Sequence, residues 1–256
     1  MNNKPLNAFT IKLIAIISMG LQHTLRVLWP YIPVNWLFPL FIFRGITFPI
    51  MAFFLVEGFK RTSNKTRYLM RLLAFASISQ IPYMLVLGLP FFRLNIIFSF
   101  SLGLILLWLY EHFYLNGKEG QFGTLLIVIL VASMFTEAMF IGPIVFFAIY
   151  IIKDEKKRII FPLLGAGLFE LALLLLSVPI YRDMQAEALE YLSLALQLEY
   201  MIVQQVGTVF SIGAFIAIPL LLLYNGERGP RAKYLFYVFY PGHWIILAII
   251  PFFILR

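Results

Sequence analysis

The sequence predicts an all-α, polytopic membrane protein of about nine transmembrane helices, with the N-terminus inside and the C-terminus outside. Three observations carry that expectation. Of 256 residues, 62% are hydrophobic and 12% charged, whereas a soluble domain averages about 45–50% apolar and roughly 25% charged residues. Together with a mean hydropathy of +0.91, this leaves too little polar surface to cover a body in water. The apolar runs reach the roughly 20 residues that a helix needs to cross a bilayer. Finally, Lys and Arg gather in alternate connections, as the positive-inside rule requires of cytoplasmic loops.

The nine segments fall at about 8–28, 36–59, 68–88, 94–114, 122–136, 139–152, 159–179, 202–224 and 234–255. The first is a full span with no A-x-A-like cleavage site, so it is expected to stay rather than to be removed as a signal peptide. The fifth and sixth come from one 31-residue stretch, "FGTLLIVILVASMFTEAMFIGPIVFFAIYII". It is long for one span and short for two. A break at Thr136-Glu137 spares a charge in mid-span. With this count Lys4, "KRTSNKTR" (60–67), Lys118, "KDEKKR" (153–158) and "ERGPRAK" (227–233) face inward with thirteen Lys/Arg, against Arg93, Arg182 and Arg256 outside. An eight-span reading scrambles that bias. Residues 180–200 carry Asp183, Glu187, Glu190 and Glu199, with Met184, Ala188, Tyr191, Ala195 and Leu198 at helical spacing. They read as an amphipathic helix on the outer interface, with a lid or docking surface as the sharper alternative to plain packing. The whole chain, 1–256, reads as a single membrane domain.

Several chemistries are excluded. Without cysteine there is no thiol nucleophile, disulfide or thiolate metal site. His23, His112 and His243 show no metal-ligand spacing, since no two are close in sequence, and no metal is expected. No G-x-S-x-G, P-loop or dinucleotide-binding glycine pattern occurs. The formal charge of +8 reflects cytoplasmic loops, and no nucleic-acid partner is expected.

What remains is a set of polar groups in apolar segments, and such groups are costly. From Lys12 to His23 a helix turns about 20° past three full turns and rises roughly 16 Å. Both side chains therefore share one stripe, the lysine near the cytoplasm and the histidine further out. The plainer reading has Lys12 and Arg26 snorkelling to opposite interfaces while His23 bonds to a neighbouring helix. Arg44 lies deep in the second span and Glu57 near its inner end, where a structural ion pair between them is a rival to a site role. Gln80 and Asn95 read as interhelical hydrogen-bonding groups. His243 follows a Pro-Gly break in "FYVFYPGHWII", and His112 in "LYEHFY" reads as interfacial.

The stretches "NAFTIKLIAIISMGLQHTLRVL", "FRGITFPIMAFFLVEGFKRT", "RYLMRLLAFASISQIPY", "NIIFSFSLGL" and "LLLLYNGERGPRAKYLFYVFYPGH" resemble the TraX family of membrane acetyltransferases, and more distantly the acyltransferase-3 group. The type member acetylates the N-terminus of conjugative pilin. In the wider group a basic residue and a histidine with ten residues between them mark the first span, and Lys12 and His23 match that spacing. Two positions depart from the family pattern: Gln22 stands before His23 where the pattern reads Asp-His, and Arg44-Gly45 inverts a Gly-Arg order. Adjacent helical residues point about 100° apart, so that aspartate is poorly placed to orient the histidine directly.

The resemblance implies a multi-pass enzyme of the bacterial plasma membrane. It would transfer acetyl from cytoplasmic acetyl-CoA to an amine or hydroxyl of a membrane or extracytoplasmic acceptor: a glycan, a lipid-linked sugar or a protein N-terminus. His23 is the expected base, since an imidazole changes protonation near neutral pH, with His243 and Glu57 as second-line catalytic residues. Lys12, Arg44, Arg228, Arg231 and Lys233 are the expected binders of the cofactor's anionic groups, joined by Lys60, Arg61 and Arg67 on the inner face. The alternatives are a transporter of a small polar or anionic solute, which would usually show paired repeats with broken helices, and a scaffold, which would need none of these charges.

Overall fold

The computed structural model describes residues 4–28, 45–184, 213–231 and 233–254. Among them run nine α-helices: α1 (Ala8–Leu28), α2 (Thr47–Arg61), α3 (Lys65–Leu87), α4 (Ile96–His112), α5 (Glu119–Ser133), α6 (Ile141–Ile151), α7 (Lys157–Met184), α8 (Gly213–Leu222) and α9 (Lys233–Ile254). Three helical segments, Ala8–Leu25, Lys65–Leu87 and Ile96–Asn116, are long and apolar enough to cross a membrane. α5, α6, α8 and most of α9 are shorter apolar helices. Arg44, the first part of the second expected span and nearly all of the expected outer helix over 180–200 lie outside the described residues.

α2 sits at the centre. It packs against α1, α4, α6 and α8, and its buried side chains (Phe48, Ile50, Phe53, Phe54, Leu55, Val56 and Phe59 among them) point to several sides of the helix. A helix apolar all round belongs in a bundle's interior. Around it, α1 packs on α9, α9 on α3, α3 on α4, α4 on α6 and α6 on α7. The outer faces are apolar too: Ile78, Ile81 and Leu85 on α3, and Ile127, Val128 and Val131 on α5, are all exposed. Such faces suit hydrocarbon, where the only cost of exposure would be incurred in water.

Local chemistry sets the ends. Asn64 caps α3 by accepting the Arg67 N–H at 2.7 Å, and Gly88, at φ +60, closes the same helix in the left-handed conformation. Asp154 accepts the backbone N–H of Lys157 at 2.7 Å and of Lys156 at 3.0 Å. Those donors hold its carboxyl below the ordinary range and start α7. Gln80 and Asn95 do bond between helices. The Gln80 Oε1 accepts from Asn95 Nδ2 at 2.9 Å and from its backbone N–H at 3.0 Å, while Asn95 Nδ2 also donates to the Ala76 carbonyl at 2.8 Å. Asn95 at once caps α4 through the Ile97 N–H.

The chain breaks between α5 and α6 over residues 134–140, the interval in which Thr136-Glu137 lies. The turn is bonded to the α3–α4 connection and to the start of α4: Leu94 N–H donates to the Phe135 carbonyl at 2.8 Å, and Ala138 N–H donates to Ser99 Oγ on α4 at 3.2 Å. Met139 adopts φ +45 there. A turn was expected to free the Glu137 charge from burial, yet the side chain is only partly exposed and faces inward (below). Irregular backbone among apolar helices is tolerated where protein covers it, and Thr136 and Ala138 are buried.

Candidate active site

A cavity of about 270 Å³ opens among α1, α2, α3, α4 and α9. At one end stand Lys12 on α1 and Arg228 and Pro230 from the α8–α9 connection. At the other stand Gln22, His23, Glu137 and Tyr240. Between them the wall is apolar and aromatic, with Met51, Phe54, Leu72, Phe75, Phe100 and Tyr237 among its residues. The stripe drawn from Lys12 to His23 is therefore one wall of this space, with a helical rise of roughly 16 Å between the two residues.

The basic end is held by a clip between distant pieces of chain. The first N–H groups of a helix have no partner within it. In α1, Ala8 N–H donates to the Glu227 carbonyl at 2.9 Å and Phe9 N–H to the Arg228 carbonyl at 3.2 Å. Asn7 takes the Thr10 N–H at 3.0 Å. Gly229, at φ +69, lies so close to Asn7 that an added Cβ would meet Asn7 Oδ1 at 2.4 Å. Only glycine suits that conformation and that approach, so the "ERGP" motif fits the start of α1 and presents Arg228 beside Lys12. The Lys12 Nζ lies 4.7 Å from the Phe54 ring centre and 5.7 Å from that of Phe236, within cation–π range.

The other end is built around two histidines. His23 Nδ1 lies 2.6 Å from His243 Nε2, and both side chains are buried. Their rings are tilted by only 12°. Trp244 lies against the His23 ring, 4.2 Å between centres, and Phe239 against the His243 ring at 5.3 Å. His243 Nδ1 is 3.0 Å from the Phe239 carbonyl. His23 lines the cavity; His243 stands behind it.

The remaining expected site residues scatter. Glu57 is not on the cavity wall. It forms ion pairs with Arg158 at 2.8 Å and Arg61 at 2.9 Å, so among the described residues its partners come from α2's own end and from α7. Arg158 was expected as a loop charge, but its residue is 3% exposed, it donates to the Ile149 carbonyl, and it braces α2, α6 and α7 together. Arg231 is exposed and off the cavity wall. The Lys233 side chain and Arg44 lie outside what is described. Lys65 and Tyr150 both bond Glu111 at the inner end of α4. Sequence reasoning missed Glu137, Trp244 and Tyr240. Of these only Glu137 carried a signal, being a lone carboxylate in a long apolar run.

A family model described as TraX protein matches residues 8–251. The chain belongs to the TraX family. The match takes in every residue of the cavity wall. The chain is also similar to the probable fimbrial assembly protein FimC of serogroup H1 from Dichelobacter nodosus, 29% identical over 263 residues that cover 96% of each chain. No solved structure matches. In this TraX-family chain Gln22, next to His23 on α1, also lines the cavity. The partner in contact with the His23 ring nitrogen is on α9.

Proposed function

We propose that this TraX-family chain is an integral-membrane acyltransferase that moves acetyl from acetyl-CoA to an amine or hydroxyl. The observation that carries the reading is a single cavity joining the cationic pair Lys12 and Arg228 to the buried His23 through an apolar passage. At about 270 Å³ the space falls just below the roughly 300–1,000 Å³ usual for a drug-sized ligand. It suits a thin acyl-bearing arm, with the nucleotide left at the basic rim. Acetyl-CoA would supply an activated thioester. The chain supplies the rest: Arg228 and Lys12 attract anionic groups, the aromatic wall keeps water out, and His23 takes up the proton that the acceptor loses as its new bond to the acetyl carbon forms. His23 then gives that proton to the CoA thiolate released when the thioester C–S bond breaks.

The orientation that suits this chemistry has the N-terminus inside, the C-terminus outside and nine crossings in the bacterial plasma membrane. It puts Arg228 on the cytoplasmic side, where acetyl-CoA is made. It also puts Glu137, level with the α3–α4 connection, on the side of an external acceptor. The fimbrial-assembly relative makes the N-terminus of a fimbrial subunit the first acceptor to assay, ahead of a glycan or a lipid-linked sugar.

The test uses the full chain in lipid nanodiscs with radiolabelled acetyl-CoA, following hydrolysis and label transfer to candidate acceptors. His23→Ala is expected to lower kcat by about 10²–10⁴, the usual scale for a general base. Lys12→Ala is expected to raise KM for acetyl-CoA, by about ten- to a hundredfold for one lost charge-assisted contact, and to keep turnover at saturation. Full turnover by His23→Ala, or no use of acetyl-CoA by the parent chain with any acceptor, would overturn the proposal. Solute flux in liposomes without acetyl transfer would favour a transporter.

A further inference from the structure

The geometry points to His243 as a positioning residue that holds His23 in its Nδ1–H form, leaving Nε2 as the nitrogen that accepts a proton. The role of His23 as a base rests on the acyltransferase reading; the proton arrangement does not. A backbone carbonyl can only accept, so His243 Nδ1, 3.0 Å from the Phe239 oxygen, must carry hydrogen. A neutral imidazole protonated at Nδ1 has a bare Nε2. His23 Nδ1 lies 2.6 Å from that bare nitrogen, and two lone pairs do not meet at such a distance, so His23 Nδ1 is the donor. Neutral His23 then carries its lone pair on Nε2, and its ring lines the cavity.

The ring planes support this order. Rings tilted by 12° with centres 4.8 Å apart lie nearly edge to edge in one plane. In that arrangement an in-plane N–H meets an in-plane lone pair. Trp244 against His23 and Phe239 against His243 keep both rings from turning out of it. When His23 Nε2 takes a proton, the ring becomes an imidazolium whose Nδ1–H still points at His243 Nε2. That bond then becomes charge-assisted and strengthens as the charge forms. Geometry of this kind is how an orienting group fixes the tautomer of a catalytic histidine. Here a second histidine does it, from the helix that carries the "YPGH" motif.

The chain's three histidines make a direct measurement practical. Nitrogen-15 NMR of histidine-labelled full chain in nanodiscs reads the tautomer without any substrate, with His112→Gln removing the exposed ring's signals. His23 is expected as Nδ1–H with Nε2 bare. In His243→Gln, whose side-chain carbonyl can accept, His23 keeps that form. In His243→Leu it changes to Nε2–H, and acetyl-CoA turnover falls by about 10²–10⁴, with the Gln variant recovering much of the loss. An Nε2–H signal for His23 in the parent chain would overturn the inference, as would an unchanged tautomer in a folded His243→Leu. If the tautomer is as expected but acetyl-CoA is never consumed, the enzymatic reading fails and the proton arrangement stands.

Discussion

Glu57 and His23 look alike in the sequence, each an ionisable group among apolar neighbours, and the structure gives them opposite surroundings. His23 borders open space. The Glu57 side chain is 13% exposed and that of its partner Arg158 only 4%, with no part in the cavity wall. Removing Glu57 leaves the buried Arg158 with the exposed Glu155 carboxylate at 3.6 Å and the Ile149 carbonyl, so the loss falls short of the full penalty of an uncompensated buried charge and is about 1–3 kcal/mol. Glu57→Ala is therefore expected to lose stability on that scale in a thermal-unfolding assay, while the surviving folded fraction keeps its acetyl-CoA kinetics. A variant of parental stability and no turnover would return Glu57 to the catalytic group. Nothing in residues 153–158 distinguished Arg158 from the lysines around it. Its role depends on where α7 begins relative to α2, and no local pattern encodes that.

Helix contacts in this bundle depend on small residues at chosen places. At Gly103 on α4 an added Cβ would lie 2.0 Å from the Phe146 ring of α6, so the two helices approach as closely as they do because one side chain is missing. Phe146 is fully buried, with its ring tilted against Phe48 and edge-on to Phe100, and has little room to yield. Gly103→Ala is expected to destabilise by about 1–3 kcal/mol, the usual cost of overpacking, despite alanine's better helix propensity. Thermal unfolding checks this, and a neutral or stabilising result would mean that α4 and α6 can slide apart freely. α3 and α4 are linked by the opposite device, the Gln80–Asn95 bonds. That pairing was legible from the chain, since a buried amide in an apolar segment must find a partner. The histidine pair was not, because residues 23 and 243 are joined only by the packing of α1 on α9.

For the molecule as a whole, the thirteen basic residues on one set of connections against three on the other imply an odd number of crossings. α5 and α6 leave from and return to the same basic side, so their shortness, 15 and 11 residues, does not alter that parity. A C-terminal alkaline phosphatase fusion is expected to be active and a C-terminal fluorescent-protein fusion dark. The reverse pair of results would require an even count and would put the Arg228 end of the cavity on the outer side, away from acetyl-CoA.

The sequence by itself determined the solvent, the helical class and the stripe that joins Lys12 to His23, because hydropathy, charge distribution and the 3.6-residue period are all local properties of the chain. It also carried the family, in motifs such as "YNGERGPRAK". Tertiary structure alone decided which of the polar residues meet. It brought Arg228 to Lys12 by matching the free N–H groups of α1 to the carbonyls of residues 227 and 228. It turned Glu137 inward by tying its turn to the α3–α4 connection, and it set His243 behind His23. These pairings follow from donors, acceptors and ring faces far apart in sequence being satisfied together in one packed bundle.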